Sequence, residues 1–280
     1  MKGRIIMGKD KGLAVVTGAS SGIGAVYAER LAARGHPLLL VARRPDRLAR
    51  LQEELSREHG VSVKTLVADL ESPSGLADVE KRVAADDVAL LVNNAGAGGL
   101  GKSAEMTADQ LERIIKLNIT AVTRLSHAAL TSFRKRDAGA LVNIGSVVAH
   151  LPSAGSAVYS ASKAYVLNFT RSLQMEYAGR PIRIQLVMPG PIRTEFFSSQ
   201  GLSDSVFPTE AYLTAEQLVD AALAGLEAGE EVTVPSMPDV RTWNSLETAR
   251  VAFMKAIMSG EVASRYHLTP QGSRPVRPGA

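Results

Sequence analysis

The alternation of short apolar runs with longer segments of helical periodicity is the feature that most constrains this fold. The runs at residues 38–41 (LLLV) and 89–92 (ALLV) are apolar at every position. Strands of a parallel sheet have this composition when helices cover both faces of the sheet. Because repeated strand–helix units with short connections are right-handed, the sequence predicts an α/β chain with a doubly wound, mostly parallel sheet of seven strands.

Local signals give approximate bounds for these elements. Thr107 and Thr214 precede polar first turns and are expected N-caps, whereas Gly35, Gly60 and Gly179 suit the left-handed position after a helix. We expect strands at 13–17, 37–41, 61–68, 88–92, 140–145, 182–187 and 232–234. We expect helices at 22–34, 47–59, 75–85, 108–136, 157–177, 215–228 and 243–258.

The composition is that of one large domain. Apolar residues make up 45% of the 280 residues, which is enough for a substantial core. We expect residues 11–235 to form that domain and residues 236–280 to form a partly helical extension with a disordered tail at 271–280. The chain has no cysteine and its five histidines are scattered, so no metal site is predicted.

Charge and hydropathy argue against nucleic-acid and membrane partners. The formal net charge is +4, from 32 basic and 28 acidic residues that are interspersed along the chain. A nucleic-acid surface would cluster its basic residues, and a spanning helix needs about 20 mainly apolar residues in succession. The apolar stretch at 5–7 is too short for the core of a signal peptide. We therefore expect a cytoplasmic protein.

A glycine-rich turn joins the first predicted strand to the first predicted helix. Gly18, Gly22 and Gly24 permit a tight turn and let the backbone approach a pyrophosphate at the positive end of the helix. A glycine-rich connection without a ligand is the alternative. In this strand–turn–helix context, the glycines indicate a single-domain Rossmann fold that binds a dinucleotide.

The end of the second predicted strand indicates which dinucleotide is bound. An acidic residue here would hold the ribose hydroxyls of NAD(H), but this chain has Arg43 and Arg44. A guanidinium can bind a 2′-phosphate through two hydrogen bonds, so the sequence favours NADP(H), with Arg43 as the principal ligand and Arg44 as the weaker one. The alternative is that both arginines are solvated charges at the start of a helix.

A tyrosine–lysine pair carries the candidate chemistry. Tyr159 and Lys163 are four residues apart in a predicted helix, so their side chains share one face. A lysine ammonium beside a phenol lowers the pKa of the tyrosine, which can then act as general acid or base. Ser146 ends the fifth predicted strand, where its hydroxyl would hold a substrate carbonyl oxygen.

Together these motifs resemble the short-chain dehydrogenase/reductase family, in its NADP(H)-preferring type. The resemblance covers about residues 11–235 and implies hydride transfer between a nicotinamide and a carbonyl or alcohol. The matching segments, in the order and spacing of the family, are TGASSGIG at 17–24, NNAG at 93–96, Asn118, Ser146, YSASK at 159–163 and PGPIRT at 189–194.

The resemblance implies a role for each matched residue. Tyr159 is the general acid in reduction, and Lys163 lowers the pKa of Tyr159 and holds the nicotinamide ribose. Ser146 orients the carbonyl, Asn118 binds a water that connects Lys163 with solvent, and Asp69 contacts the adenine. The cofactor-binding residues expected in all are Gly18, Ser20, Ser21, Gly22, Ile23, Gly24, Arg43, Arg44, Asp69, Leu70, Asn94, Ala95, Gly96, Tyr159, Lys163, Pro189, Gly190, Ile192 and Thr194.

Apolar residues near the expected substrate position predict a hydrophobic ketone, aldehyde or 3-oxoacyl compound. Val147, Val148, Leu151 and Pro152 would form one wall, and His150 could reach the mouth. The resemblance implies a homodimer or homotetramer formed through the predicted helices at 108–136 and 157–177. The residues of the expected covering loop are Phe196, Phe197, Leu202, Val206, Phe207, Tyr212 and Leu213.

A regulator that senses NADP(H) without turnover is the main alternative function. It would explain the glycine turn and Arg43, but it would not require Asn118, Ser146, Tyr159 and Lys163 together. A nucleic-acid-binding protein that uses residues 43–50 is disfavoured by the mixed charge and the lack of interleaved aromatic residues. Dehydratase or epimerase activity on the same fold has no positive sign in the sequence.

Overall fold

A computed structural model describes residues 11–99, 101–198, 207–258 and 260–266 of the chain. By its internal contacts the chain divides into two compact units between Ser236 and Met237. The first unit contains the central sheet and the helices that cover it. The second contains a helix at Val240–Ala256.

A parallel seven-stranded sheet forms the centre of the first unit and confirms the predicted fold class. Its strands, in spatial order, are β3-β2-β1-β4-β5-β6-β9, and all six pairings are parallel. The strand bounds are β1 Leu13–Thr17, β2 Leu38–Ala42, β3 Val63–Val67, β4 Val88–Asn93, β5 Gly139–Ile144, β6 Ile182–Val187, β7 Ile192–Arg193, β8 Leu213–Thr214 and β9 Val232–Thr233. The pair β7–β8 is a separate two-stranded sheet that the sequence did not predict.

Helices connect successive strands and lie on both faces of the sheet. The second unit has its own helix, α9, in which no residue is buried. The helix bounds are α1 Gly22–Ala33, α2 Pro45–His59, α3 Pro73–Val83, α4 Ala108–Ile115, α5 Val122–Arg136, α6 Ala157–Glu176, α7 Glu195–Ser198, α8 Ala215–Ala228 and α9 Val240–Ala256.

Strand β1 shows why the central strands are apolar throughout. Ala14 and Val16 belong to the core cluster that includes residues of α1, α2 and α8. Leu13 and Val15 belong to the cluster on the opposite face, which includes residues of α3 and α5. Because successive side chains of a strand point to opposite faces, both sets must be apolar. The strand is therefore fixed at the centre of the sheet, with its carboxyl end leading into the glycine turn.

The caps predicted at Thr107, Thr214 and Gly60 agree with the structure. Thr107 and Thr214 each form a capping box, in which the threonine side chain and the glutamine three residues later bond to each other's backbone N–H. Gly60 ends α2 in the left-handed conformation, with φ of 65°. These local signals explain why most helix bounds lie within two residues of their predicted positions.

The predicted continuous helix at 108–136 is wrong in its middle. A six-residue π-helical segment, Lys116–Ala121, separates α4 from α5. Asn118 lies in this segment, and its side chain exchanges two hydrogen bonds with the backbone of Ala97, at 2.8 and 2.9 Å. A widened turn is commonly found where a helix serves a functional site. The Asn118 side chain thus contacts Ala97 from within the π-helical segment. The helical periodicity of the sequence predicts neither the segment nor this contact.

Membrane-spanning helices and metal-binding clusters are both absent from the described residues. No helix there is both long and apolar enough to cross a membrane. In the same ranges, no three histidine, aspartate or glutamate side chains are grouped in a way that could hold a metal ion.

Candidate active site

The glycine turn lies between the carboxyl end of β1 and the start of α1. Gly18 and Gly22 have φ of 65° and 53°, a region that side chains other than glycine rarely adopt. At Gly24 an added Cβ would lie 2.3 Å from the carbonyl oxygen of Gly18. The turn therefore requires glycine at all three positions, for conformation at two of them and for space at the third.

The amino end of α1 is open toward the turn. Ser21 is its N-cap residue, yet the Ser21 side chain makes no capping bond, and the first turn of the helix carries no acidic residue. The hydroxyls of Ser20 and Ser21 accept hydrogen bonds from the guanidinium of Arg44, at 2.8 and 2.7 Å. The first N–H groups of α1 and the positive end of its dipole can therefore receive an anion.

The two arginines after β2 occupy different surroundings. Arg43 pairs with Glu71 at 3.2 Å, and the same carboxylate oxygen accepts a 2.9 Å bond from Arg113. Arg44 instead reaches back to the glycine turn and also contacts Glu195 at 3.3 Å. Of the two, Arg44 lies against the glycine turn, whereas Arg43 bonds to Glu71, and the ranking of Arg43 above Arg44 stays a prediction.

The predicted NNAG segment lies at the end of β4 and forms hydrogen bonds with Thr17, immediately before the glycine turn. The Asn94 side chain donates to the carbonyl oxygen of Thr17 at 2.9 Å, and the backbone N–H groups of Asn94 and Ala95 both donate to the Thr17 hydroxyl at 3.1 Å. Gly96 lies near the catalytic candidates, because a Cβ added there would be 3.8 Å from the Lys163 ammonium nitrogen. Asn94 and Ala95 therefore hold the turn in place, and Gly96 leaves space beside the lysine.

Ser146, Tyr159 and Lys163 come together at the carboxyl edge of the sheet. Ser146 follows β5, and its hydroxyl accepts from the Val148 N–H at 3.3 Å and interacts with the Tyr159 phenol. Lys163 is one turn after Tyr159 on α6, and its ammonium group is buried and donates to the Ile144 carbonyl at 3.0 Å. The lysine nitrogen is 5.9 Å from the centre of the Tyr159 ring. The structure thus brings together the three residues that the sequence singled out.

The expected lowering of the tyrosine pKa is not found in this structure. Burial raises the pKa of Tyr159 to about 12, while the hydrogen bond with Ser146 acts in the opposite direction. Burial also lowers the pKa of Lys163 to about 8. Desolvation therefore outweighs the hydrogen bond with Ser146, and Tyr159 keeps its proton at neutral pH.

Asn118 is fixed to two other parts of the site. Besides its bonds with Ala97, the Asn118 amide nitrogen donates to the hydroxyl of Ser162 at 3.0 Å. Ser162 is fully buried on α6 and donates in turn to the carbonyl oxygen of Tyr159 at 2.7 Å. Ser162 was missed by the sequence reasoning, although it stands inside the YSASK motif.

The remaining predicted cofactor residues border the same edge. Asp69 accepts a bond from the Glu71 N–H at 3.0 Å, while the Leu70 side chain is buried in the core, so only the backbone of Leu70 can face a ligand. A Cβ added at Gly22 would lie 3.2 Å from the Thr194 methyl group. Four others lie in or beside the turns at this edge: Ile23 at the start of α1, Pro189 and Gly190 after β6, and Ile192 in β7.

The residues of the predicted covering loop are only partly within the described residues. The Phe196 ring is tilted against the Tyr159 ring, with 5.8 Å between ring centres. Phe207 and Tyr212 form an edge-to-face pair at 6.1 Å. Leu202 and Val206 lie outside the described residues. Leu213 is the first residue of β8, and the description of Phe197 is limited to its backbone in α7.

The predicted wall after Ser146 forms a short helical turn at Val147–His150. His150 and Pro152 line a cavity of about 510 Å³ together with Ala157 and Ala161 of α6. These alanines lie on a different face of α6 from Tyr159 and Lys163. The cavity is therefore separate from the catalytic candidates, and in this structure His150 borders that cavity.

Comparison with known proteins gives consistent matches. The short chain dehydrogenase family model matches residues 12–204. Sulfoacetaldehyde reductase 2 of Chromohalobacter salexigens is 34% identical over 250 residues, which are 85% of this chain and 98% of that protein. The 3-oxoacyl-(acyl-carrier-protein) reductase of Salmonella typhimurium is 36% identical over 194 residues, which are 69% of this chain and 77% of that protein.

Solved structures extend the likeness to nearly the whole chain. A short-chain dehydrogenase from Sphingobium yanoikuyae in complex with NADPH has a TM-score of 0.87 and 42% identity, covering 91% of this chain and all of that one. A bulky-bulky ketone specific alcohol dehydrogenase from Comamonas testosteroni has a TM-score of 0.84 and 38% identity, covering 92% and 100%. The chain therefore belongs to the short-chain dehydrogenase/reductase family of oxidoreductases.

Proposed function

We propose that the protein is an NADP(H)-dependent oxidoreductase that transfers a hydride between nicotinamide and a carbonyl or alcohol. The observation that carries the proposal is the grouping of the Ser146 hydroxyl, the Tyr159 phenol and the buried Lys163 ammonium at the edge where β1 leads into the glycine turn. A proton donor and an oxygen-binding hydroxyl are therefore adjacent to a candidate dinucleotide site.

The residues present fit a dinucleotide. Gly18 and Gly22 hold a left-handed turn, Ser21 leaves the first N–H groups of α1 without a side-chain cap, and Gly96 leaves space beside Lys163. We propose that the pyrophosphate is held at the start of α1 and the nicotinamide ribose by Tyr159 and Lys163. When bound, the cofactor supplies the hydride.

The chain's own residues supply orientation and a proton. Tyr159 donates the proton of its hydroxyl to the substrate oxygen as that oxygen gains negative charge, and Ser146 holds the same oxygen by a hydrogen bond. With its pKa raised to about 12, Tyr159 is fully protonated before reaction, as a general acid must be. The buried Lys163 favours the phenolate that remains after the transfer.

We propose that Asn118 takes part in the proton relay that returns a proton from solvent to Tyr159 through Lys163. The Asn118 side chain is engaged with Ala97 and Ser162, so a water that connects Lys163 with solvent would be bound by the backbone carbonyl of Asn118. The π-helical segment around Asn118 supports this role, because widened turns alter backbone hydrogen bonding locally.

The choice of NADP(H) rests on positive charge beside the glycine turn. Arg44 lies against Ser20 and Ser21, and Arg47 follows one turn later in α2. A guanidinium and two hydroxyls form a suitable site for a 2′-phosphate. The complex of the Sphingobium yanoikuyae relative with NADPH supports the same choice.

We propose a hydrophobic ketone, aldehyde or 3-oxoacyl compound as substrate. The Phe196 ring lies against the Tyr159 ring, which makes the approach to the phenol apolar. The relative described as specific for bulky-bulky ketones supports an apolar ketone, and the 3-oxoacyl-(acyl-carrier-protein) reductase supports a 3-oxoacyl group. The substrate is then held by the fit of its apolar groups in the pocket and by the hydrogen bonds to its carbonyl oxygen.

We propose further that residues 11–235 carry the whole of both sites, with residues 236–280 as an extension, and that the protein is a homodimer or homotetramer. Exposed apolar side chains at Ile115 of α4 and Met175 of α6 support assembly through these helices. Sedimentation equilibrium tests the assembly, and a monomer at micromolar concentration would contradict it.

The test of function is turnover. NADPH and NADH oxidation are to be followed with a graded series of aliphatic, aryl and bulky diaryl ketones, aldehydes and 3-oxoacyl thioesters. We expect turnover with NADPH that increases with apolar size and is weaker with NADH. Tight NADPH binding with no turnover of any compound would contradict the proposal and favour a sensor.

A further inference from the structure

The carboxylate of Glu195 lies between Arg44 and Arg47, beside the glycine turn. Both oxygens of Glu195 accept hydrogen bonds from Arg47 at 2.9 Å, and one of them lies 3.3 Å from Arg44. Arg44 is the same side chain that donates to the hydroxyls of Ser20 and Ser21. Arg44 is thus shared between the glycine turn and an internal anion.

This anion comes from a distant part of the chain. Glu195 begins α7, immediately after Thr194, and is separated from Arg44 by 151 positions in the sequence. The two arginines hold the pKa of Glu195 below its ordinary value, with Arg47 contributing more than Arg44. The carboxylate is therefore ionised at neutral pH and opposes any second anion placed on Arg44.

We propose that Glu195 is an internal competitor for the 2′-phosphate, which must take Arg44 from Glu195 in order to bind. This inference rests on the proposed NADP(H) function. Arg47 makes two contacts with Glu195 and retains the carboxylate when Arg44 turns to the phosphate. Glu195 thereby lowers the affinity for NADP(H) without changing the affinity for NAD(H), so it sets the discrimination between the two cofactors.

The expected size of the effect is modest. The Arg44, Arg47 and Glu195 side chains are between 43% and 55% exposed, so solvent and salt screen their attraction. Removal of the Glu195 charge is expected to tighten binding of the phosphate by about two- to fivefold at low salt. The gain decreases as salt is added.

The chain offers a matched control in Glu71. Its carboxylate pairs with Arg43 in the way that Glu195 pairs with Arg44, and it also accepts a bond from Arg113. Glu71→Gln therefore removes one charge of the same sign from the other candidate arginine. A comparison of the two variants separates an effect at Arg44 from a general increase in positive potential.

The experiment is calorimetric titration of wild type, Glu195→Gln and Glu71→Gln with NADPH, NADH, 2′,5′-ADP and 5′-ADP. In Glu195→Gln we expect tighter binding of NADPH and 2′,5′-ADP, no change for NADH and 5′-ADP, and a smaller effect in Glu71→Gln. In an Arg44→Met background, Glu195→Gln should no longer tighten binding. Thermal melting establishes that each variant is folded.

Three results would overturn the inference: no change in Glu195→Gln, equal tightening of all four ligands, or a larger phosphate-specific gain in Glu71→Gln. The last would assign the phosphate to Arg43. The inference rests on the NADP(H)-binding part of the proposed function, and failure of that part is separately visible, because wild type itself would then bind neither NADPH nor 2′,5′-ADP.

Discussion

The amide of Asn118 donates a 3.0 Å hydrogen bond to the hydroxyl of Ser162, and this bond joins the π-helical segment to α6. The Ser162 hydroxyl in turn donates a 2.7 Å hydrogen bond to the backbone carbonyl oxygen of Tyr159. Both residues are buried, so neither bond can be replaced by bulk water. Asn118 and Tyr159 are therefore held in a fixed relation by a residue that is expected to touch no ligand.

Substitution of Ser162 by alanine should affect catalysis as well as stability. Removal of the hydroxyl leaves the Asn118 amide short of a partner, which costs about 1–3 kcal/mol of unfolding free energy. We expect kcat to fall by about tenfold, with little change in KM, because Tyr159 loses its fixed position. Steady-state kinetics and urea unfolding measure the two effects.

Ser160→Ala is the matched control for this prediction. Ser160 is also buried on α6, but its hydroxyl bonds are to Ser156 and Ala157 of its own segment. If Ser160→Ala and Ser162→Ala lower kcat equally, Ser162 has no positioning role.

The buried Lys163 predicts a dependence of stability on pH. Its pKa is about 8 in the folded protein and near 10.5 when exposed to water. Between these values the unfolded chain binds more protons than the folded one, so stability rises with pH across this window. The full gain is on the order of 3 kcal/mol.

Unfolding of wild type and Lys163→Met between pH 7 and 10 measures most of this gain in stability. The upper limit avoids the ionisation of Tyr159, whose raised pKa lowers stability only above about pH 10. We expect the unfolding free energy of wild type to rise relative to that of Lys163→Met. Parallel curves would show that Lys163 is not desolvated.

Substitution of Gly24 tests the close packing of the glycine turn. An alanine Cβ would lie 2.3 Å from the Gly18 carbonyl oxygen and 2.5 Å from the Asn94 amide nitrogen, so the turn must move. We expect a loss of about 1–3 kcal/mol in stability. We also expect NADPH to bind about tenfold or more weakly, because displaced N–H groups lose charged hydrogen bonds.

Gly60→Ala is the control for Gly24→Ala. Gly60 also has a conformation unfavourable to alanine, with φ of 65°, but no atom lies within 4 Å of its added Cβ. We expect a loss of about 1–2 kcal/mol in stability and unchanged NADPH affinity. Equal weakening of NADPH binding in both variants would mean that Gly24 acts only through global stability.

The fold could be predicted because its signals are local. Apolar strands, and capping threonines such as Thr107 and Thr214, can be recognised from a few neighbouring residues. Accordingly, β1, β6 and α8 have the bounds that the sequence predicted. The two-residue strands β7 and β8 gave no such signal, since a pattern of two residues has no period.

The site could be predicted only in part, because its remaining contacts are distant in the sequence. Tyr159 and Lys163 were found by their helical spacing, whereas the Asn118–Ser162 bond joins residues 44 positions apart. The different surroundings of Arg43 and Arg44 could not be predicted, since they depend on which distant carboxylates and hydroxyls each guanidinium contacts. The pKa of Tyr159 depends on how deeply the phenol is buried, and this burial cannot be predicted from the YSASK motif alone.

The central claim is that Tyr159 is the proton donor, and kcat of Tyr159→Phe beside Tyr165→Phe tests it most directly. Tyr165 lies on the same helix and bonds to Thr123 at 2.8 Å, so its variant also loses one phenol hydroxyl. With NADPH and the best ketone, we predict that Tyr159→Phe lowers kcat by about 10²–10⁴-fold, whereas Tyr165→Phe leaves it nearly unchanged. Retention of wild-type kcat by Tyr159→Phe, with NADPH still bound, would contradict the account.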